Sequence, residues 1–387
     1  MSFEFLVPVS DLIVAHTKLL PEFSLGKQIK IHTTKEGVPD IENVNIAIIG
    51  IQENRNDTNF LGEGLCFDSI RKSLYELFPG NWDSNIIDLG DIRPGNEVSD
   101  TYYLAQEVLS DLLKKDIIPV VLGGSQDLVY AQYRAFDVLE RMVNLANVDS
   151  RFDLGDSSQP ITNTSFVGKI IVEKPYNLFN YSNIGYQTYF NSQEEIDLIE
   201  KLYFDAYRLG EVISDITIVE PIMRDADIVS IDLGVMTAAS LNGAVISPNG
   251  FDGREICAIS RYAGISDKVK SFGVYEFKNF KGEETTALLV AQIIWYFIEG
   301  VNFRSNELTI KNLESTLHYN VPVDGEILSF YKSPKTGRWW IEIPFISSGN
   351  NKLKRHTLLP CTYNDYERAC NQEIPERWYK AKRKNEV

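Results

Sequence analysis

The sequence predicts an α/β fold in which a mostly parallel sheet is covered by helices on both faces, with a small β-containing extension at the C-terminus. Three observations predict it. Between about residues 44 and 302, short β-branched runs alternate with helical stretches. The runs are apolar throughout rather than alternately polar, as in strands buried on both faces. That rhythm then stops, and Glu326–Phe345 reads instead as two strands joined by a turn at Ser333–Gly337.

The elements follow in order. Residues 1–43 are mixed in character and are expected to pack as an N-terminal arm against the sheet. Val44–Ile49 reads as the first buried strand, closed by Gly50. The amphipathic stretch Thr101–Lys115 leads into a strand at Asp116–Leu122. Further strands are expected at Val143–Val148, Ile170–Val172, Asp227–Ile231 and Val269–Tyr275. Helices are expected over 126–139, 193–202, 253–263 and 284–300. The chain thus divides into an arm (1–43), a main domain (44–302) and an extension (303–387) that ends in the basic run Lys380–Lys384. Within the extension, strand alternation sends Trp339 and Trp340 to opposite faces, one toward a core and the other toward solvent.

Composition narrows the function. The 387 residues are 44% hydrophobic, ample for a large core. Against 38 Lys and Arg stand 54 Asp and Glu, a net charge of -16 that repels phosphate backbones and anionic lipid. No nucleic-acid partner is expected. Met1–Ser10 has no basic residue and so no secretory n-region, and the apolar run Ala287–Ile298 is too short to span a bilayer. Cys66, Cys257, Cys361 and Cys370 are scattered without Cys-x-x-Cys spacing. That is the pattern of a reduced, cytoplasmic protein with no membrane insertion.

The unusual residues stand at the carboxyl ends of predicted strands: Gly123–Asp127, Asp149–Asp153 and Asp232–Gly234. A single strand-end Asp is ordinarily a helix cap or turn former. Three in one sheet point to a shared site, because ligands of open parallel sheets bind at that edge. Gly123-Gly124 lacks the spacing of a phosphate loop. Ser125, Ser150 and Cys66 have no histidine near them to act as base. The four histidines, His16, His32, His318 and His356, lie outside the predicted core and are expected at the surface.

At these loops the sequence resembles the arginase family of ureohydrolases, and within it the formimidoylglutamase type. VLGGSQDL, NVDSRFDL and SIDLGV stand where the family carries Gly-Gly-x-His, Asp-Ala-His-x-Asp and Asp-x-Asp. Ile70–Leu74, Asn249–Phe251 and Ser271–Phe277 also match, so the resemblance runs over roughly 44–300. It implies an arginase-like α/β/α fold and a site where six side chains clamp two Mn²⁺ ions. Two such ions bridged by hydroxide place a nucleophile at neutral pH. Carried over residue by residue, the six positions are Gln126, Asp149, Arg151, Asp153, Asp232 and Gly234. Three of them depart from the family: His has become Gln126, His has become Arg151 and Asp has become Gly234.

Glycine donates nothing, the Gln126 amide is a weak ligand, and a guanidinium cannot coordinate a cation. Arg151 is therefore expected to pair with Asp149, Asp232 or both, in place of the second ion. No cofactor is expected; the alternative is one Mn²⁺ on Gln126, Asp149, Asp153 and Asp232. The resemblance places Glu276 where the family's carboxylate holds the guanidinium end of the substrate. It either grips a cationic amidine or balances Arg151 or another core arginine. The segment Thr162–Gly168 has no histidine where the arginase branch carries its proton shuttle.

Three readings follow. One is an arginase-fold protein without a metal site, structural or protein-binding, acting as a homo-oligomer or within a protein complex. A likeness to chains of gliding bacteria adds a subunit of a secretion or motility assembly to its possible roles. A second is a one-ion hydrolase of formimino or guanidino C–N bonds. A third is a metal-free sensor of an amidino compound anchored on Glu276.

Overall fold

In the computed structural model, residues 2–59, 62, 64–241, 247–278, 283–307, 316–344 and 358–386 are described. Nine strands form the main sheet: β1 (Lys30–Ile31), β2 (Ile46–Ile51), β3 (Ile86–Ile92), β4 (Ile118–Gly123), β5 (Val143–Val148), β6 (Leu178–Tyr186), β7 (Asp205–Arg208), β8 (Ile228–Asp232) and β9 (Ser271–Tyr275). Their order is β1-β3-β2-β4-β9-β8-β5-β6-β7, and every pairing is parallel. Strand alternation splits the core in two. Ile46, Ile48, Val120, Leu122, Val148 and Ile231 pack on one face, while Ala47, Ile49, Val121, Leu145 and Ile228 pack on the other. Helices cover both faces, as the uninterrupted apolar strands require.

The helices at Gln193–Lys201, Gly253–Gly264 and Glu283–Asn302 stand where they were expected. The helix expected over 126–139 is shorter, an α-helix at Leu128–Arg134 followed by a 3₁₀ turn to Leu139. Ile170–Val172 is not a strand. It closes the helix Phe166–Val172, whose buried Phe166, Val167 and Ile170 follow helical spacing. Packing there overrides the β propensity of the branched residues. Strands β3, β6 and β7 went unpredicted because polar residues interrupt them. In β3, Asp88 and Asp91 are buried against Arg71, at 2.9 and 2.8 Å, on the helix Asp68–Glu76. The N-terminal arm supplies edge strand β1, and Val7 and Asp91 exchange backbone hydrogen bonds of 2.8 and 2.9 Å.

The extension holds a second, antiparallel sheet of β10 (Leu317–Val323), β11 (Glu326–Lys332), β12 (Trp339–Glu342) and β13 (Leu358–Cys361). β11 and β12 pair across the expected turn, with Lys332 opposite Trp339. Phe345, at the end of the anticipated hairpin, lies outside the described residues. Trp339 joins a third core with Phe330, Ile341 and Trp378. Trp340 is equally buried, against expectation, because the guanidinium of Arg224 from the main domain stacks on it at 4.6 Å. Arg224 also donates to the carbonyls of Trp339 (3.0 Å) and Cys361 (3.2 Å), tying the two sheets together. No described helix is long and apolar enough to cross a membrane.

Candidate active site

The strand order brings the expected site residues together. β4, β9, β8 and β5 are consecutive neighbours, and their carboxyl ends deliver Gln126, Glu276, Asp232 and Asp149 in turn. Gly123 and Gly124 allow the close packing beneath. A Cβ would lie 2.0 Å from the Tyr275 ring at Gly123 and 1.9 Å from the Glu53 carbonyl oxygen at Gly124. These glycines serve strand packing, not a phosphate. Above the strand ends opens a cleft of about 410 Å³, lined among others by Arg151, Asp153, Asp232, Gly234, Glu276 and Lys278.

Asp153 and Asp232 line the cleft, with Asp149 fully buried beside them. Asp149 Oδ1 accepts from the Arg151 backbone N–H (2.8 Å), and Asp232 Oδ1 accepts from Gly234 N–H (2.6 Å). The Oδ2 atoms of Asp149 and Asp153 are buried with no hydrogen-bond partner among the described residues. Burial raises the Asp149 carboxyl above its ordinary range. Burial, then the adjoining Asp149, raises Asp153 far above it. Asp232 is raised in the same way, by burial first and by Asp149 and Glu276 after. At each of the three, burial penalises the charged form. Beneath them Asn147, on β5, is fully buried, and Asn183 beside it on β6 donates from Nδ2 to the Arg151 carbonyl at 2.6 Å.

Arg151 departs from expectation. It makes no ion pair with Asp149 or Asp232. Its side chain is exposed, stacks on the Phe190 ring at 4.6 Å and donates from Nη1 to the Phe190 carbonyl at 3.0 Å. Arg151 meets Asp149 through its backbone N–H alone, while Phe190 offers the guanidinium both a ring and a carbonyl. Arg151 is thus part of the cleft wall, not a plug in the floor.

Glu276 has its own partner. Oε1 accepts from Gln126 N–H (2.9 Å) and Asn163 Nδ2 (3.2 Å), while Oε2 pairs with Lys278 at 3.2 Å. Lys278 is held in turn by Asp57 at 2.8 Å. Burial raises Glu276 to about 7 even though Lys278 pulls the other way. The balancing cation is Lys278, neither Arg151 nor a core arginine. Lys278, Asn163, Asp57 and Phe190 were all missed from sequence. Lys278 was signalled only by lying two residues beyond Glu276, and Asn163 by lying in the loop searched for a histidine.

The remaining expected groups are quickly placed. His32 is buried against expectation, with Nδ1 2.9 Å from the Leu89 carbonyl. His16 meets Glu76 and His318 stacks on Tyr331, both away from the cleft. His356 lies outside the described residues. Ser125 is buried and donates to Asp127, which also accepts from Tyr102 and which burial raises to about 6.

Of the six positions that the resemblance assigns to metal ligands, two have no donor to give. Gly234 has no side chain and the Arg151 guanidinium has no lone pair to give. Gln126 turns its amide nitrogen toward Ser230 Oγ at 3.3 Å. Among the described residues, no three His, Cys, Asp or Glu side chains group so as to hold a metal ion. Oδ2 of Asp149 and of Asp153 are buried oxygens without a hydrogen-bond partner among the described residues, and a single cation would draw on them.

Comparison with known proteins agrees with this architecture. The family model described as Arginase family matches residues 44–299. Formimidoylglutamase of Staphylococcus aureus (strain MRSA252) is 25% identical over 249 residues, covering 60% of this chain and 78% of that protein. Formimidoylglutamase of Staphylococcus epidermidis is 27% identical over 243 residues, covering 59% and 76%. Among solved structures, Trypanosoma cruzi formiminoglutamase with Mn²⁺ superposes with a TM-score of 0.63 at 15% identity, covering 73% of this chain and 99% of that one. Formimidoylglutamase from Bacillus subtilis gives 0.61 at 17%, covering 69% and 90%. With the profile matched along the whole main domain and the fold shared, the chain belongs to the arginase family.

Proposed function

We propose that this chain is a formimidoylglutamase-like member of the family that has given up the binuclear metal site and acts as a binding or structural protein. The observation that carries the reading is the pair Arg151 and Gly234, which occupy two of the six family ligand positions and can donate to no metal. Gln126, Asp149, Asp153 and Asp232 occupy the other four. Lys278 supports the same reading, since it occupies the Glu276 carboxylate that the family resemblance assigns to substrate. A cytoplasmic homo-oligomer or protein complex, including a secretion or motility assembly, is the proposed setting. Phe5, Leu12, Leu19 and Phe23 support a protein partner, being large apolar side chains left exposed on the N-terminal arm.

The test is elemental analysis of the full chain after incubation with excess Mn²⁺, alongside release of formamide from N-formimidoyl-glutamate. The expected result is less than about 0.2 ion per chain and no formamide. A second reading is a one-ion hydrolase of formimino or guanidino C–N bonds. The unpartnered Oδ2 atoms of Asp149 and Asp153 favour it, as do relatives named formimidoylglutamase. Near-stoichiometric Mn²⁺ with formamide release would establish it instead.

A further inference from the structure

We propose that the outer face formed by the N-terminal arm, the helix Asp68–Glu76 and the helix Glu283–Asn302 is a contact surface for a second copy of this chain, packed about a two-fold axis. The proposal rests on the reading of the chain as a binding or structural protein, and it names the surface and the partner.

The first observation is a strip of apolar side chains on elements that hydrogen bonds and ring contacts stitch together. On the arm, the helix Asp11–Thr17 buries Ile13 and Thr17 and turns Leu12 outward, while its His16 meets Glu76 at 2.9 Å. Farther along, Leu25 N–H donates to the Leu77 carbonyl at 2.7 Å, which brings the stretch carrying Phe23 to the stretch carrying Phe78. The Phe78 carbonyl accepts from Trp295 Nε1 at 2.8 Å, and the Trp295 ring lies 5.4 Å from Trp82 and 5.2 Å from Tyr296.

The second observation is how much of this strip is bare. Leu12, Leu19 and Phe23 are 80%, 84% and 76% exposed, and Phe78, Leu288 and Tyr296 are 55%, 41% and 36% exposed. Together these six leave roughly 700 Å² open, more than the roughly 300–600 Å² of the largest apolar patch on a typical monomer and close to the about 800 Å² that each partner of a stable dimer buries. The helix Glu283–Asn302 shows the same excess in its sequence, because Gln292 is the one residue between Ala287 and Ile298 that is neither apolar nor aromatic. A helix so apolar all round is ordinarily covered on every side. Aromatic side chains, abundant here, are the favoured anchors of protein contacts.

Charge selects the occupant. A chain at -16 repels its own copies over most of its surface. On this face the repulsion is absent: across Asp11–Lys30 and Asp68–Asp83 the exposed charges balance, four lysines against four carboxylates. A two-fold contact sets one patch against itself, so that patch must carry both signs. A strongly basic or strongly acidic partner would gain nothing from such a face.

The test is light scattering of the full chain after gel filtration, at micromolar concentration and low salt. The wild type is expected to hold an even number of copies, and Phe23→Asp/Phe78→Asp half that number. Both positions are exposed, so the variant is expected to fold, which an unchanged unfolding midpoint of the separated copies checks. Leu198→Asp is the control: it alters an exposed leucine on the helix Gln193–Lys201, which packs on the other face of the sheet, and the mass should not change. Lys27→Glu/Lys72→Glu leaves the apolar strip intact but tips the face negative, and should weaken association at least about tenfold at low salt. A wild-type chain that stays single, or one that forms trimers, would overturn the proposal. So would a mass that Phe23→Asp/Phe78→Asp leaves unchanged, or association indifferent to Lys27→Glu/Lys72→Glu. The parent reading fails separately: bound Mn²⁺ and formamide release would sink it whatever the mass.

Discussion

Rebuilding the family's ligand set in this chain tests the correspondence between positions most directly, and Gly234 is the place to begin. A Cβ there would lie 3.0 Å from Asp232 Oδ1 and 3.2 Å from Oδ2. Both are the free end of a side chain that can swing by a few tenths of an ångström, so Gly234→Asp fits sterically. Electrostatically it does not, because it sets a new carboxylate beside Asp232. Two like charges about 5 Å apart, at an effective dielectric near 20, repel by about 3 kcal/mol. Without metal, Gly234→Asp should therefore destabilise the chain by up to about 3 kcal/mol at pH 8, and less at pH 5, where a proton relieves the pair. In Gln126→His/Arg151→His/Gly234→Asp the same crowding becomes a ligand set. Mn²⁺ at about a hundredfold its Kd should then return about 2.7 kcal/mol. Thermal unfolding at both pH values, with and without Mn²⁺, reads the effect, and metal content counts the ions. Activity need not return, since the groups that orient the ligands have also changed. A folded triple variant whose melting ignores Mn²⁺ would show that the six positions do not converge as the family resemblance aligns them.

Three further outcomes are expected. Arg151→Ala should cost no more than about 1 kcal/mol in urea unfolding, the scale of an exposed cation–π contact, and a loss of 3 kcal/mol or more would reinstate a buried ion pair. Asp153 and Asp232 are raised well above their ordinary range, and Glu276 from 4.5 to about 7. Groups raised in the fold contribute stability that is complete below their unfolded values and lost as pH climbs through the folded ones, so unfolding midpoints should fall between about pH 4.5 and pH 8. Asp232→Asn should flatten that slope and exceed the wild type at pH 8; a less stable variant there would mean that the carboxylate is paired. Arg224→Met should cost about 3 kcal/mol by stranding the Trp339 and Cys361 carbonyls. Limited proteolysis should then cut the C-terminal sheet before the main domain, and equal protection of both would refute the docking role.

Much of the fold was legible because the central strands are apolar on both faces, and a run such as Ile46–Ile51 admits few other readings. The strands that escaped carry polar residues whose burial depends on distant partners: Asp88 and Asp91 of β3 make sense only beside Arg71, which approaches from a helix. Ile170–Val172 misled for the opposite reason, since three branched residues suit a strand locally while the core wants them on a helix. That the three strand-end motifs come together was legible from their places at the ends of strands in one sheet. The site's internal pairing was not. Arg151 was expected to turn inward to carboxylates, yet only its backbone N–H meets Asp149, and an aromatic residue 39 positions on captures the side chain. Glu276 was expected to meet an arginine or a ligand, and a lysine two residues away reaches it first.

Asp153 and Glu276 both hold left-handed backbone, at φ of 53° and 63°, although neither is glycine. A residue with a side chain pays for that conformation in torsional strain, and it persists only where the surroundings leave no alternative. Here the alternatives are closed by Val167 N–H, which binds the Asp153 carbonyl at 3.1 Å, and by the Gly124 carbonyl, which binds Glu276 N–H at 2.7 Å. The contour of the cleft is therefore written in main-chain atoms. The residues at 126, 151, 234 and 278 decorate a mould they do not shape, so a few exchanges among them can change the chemical taste of the cleft while its walls stay where they are.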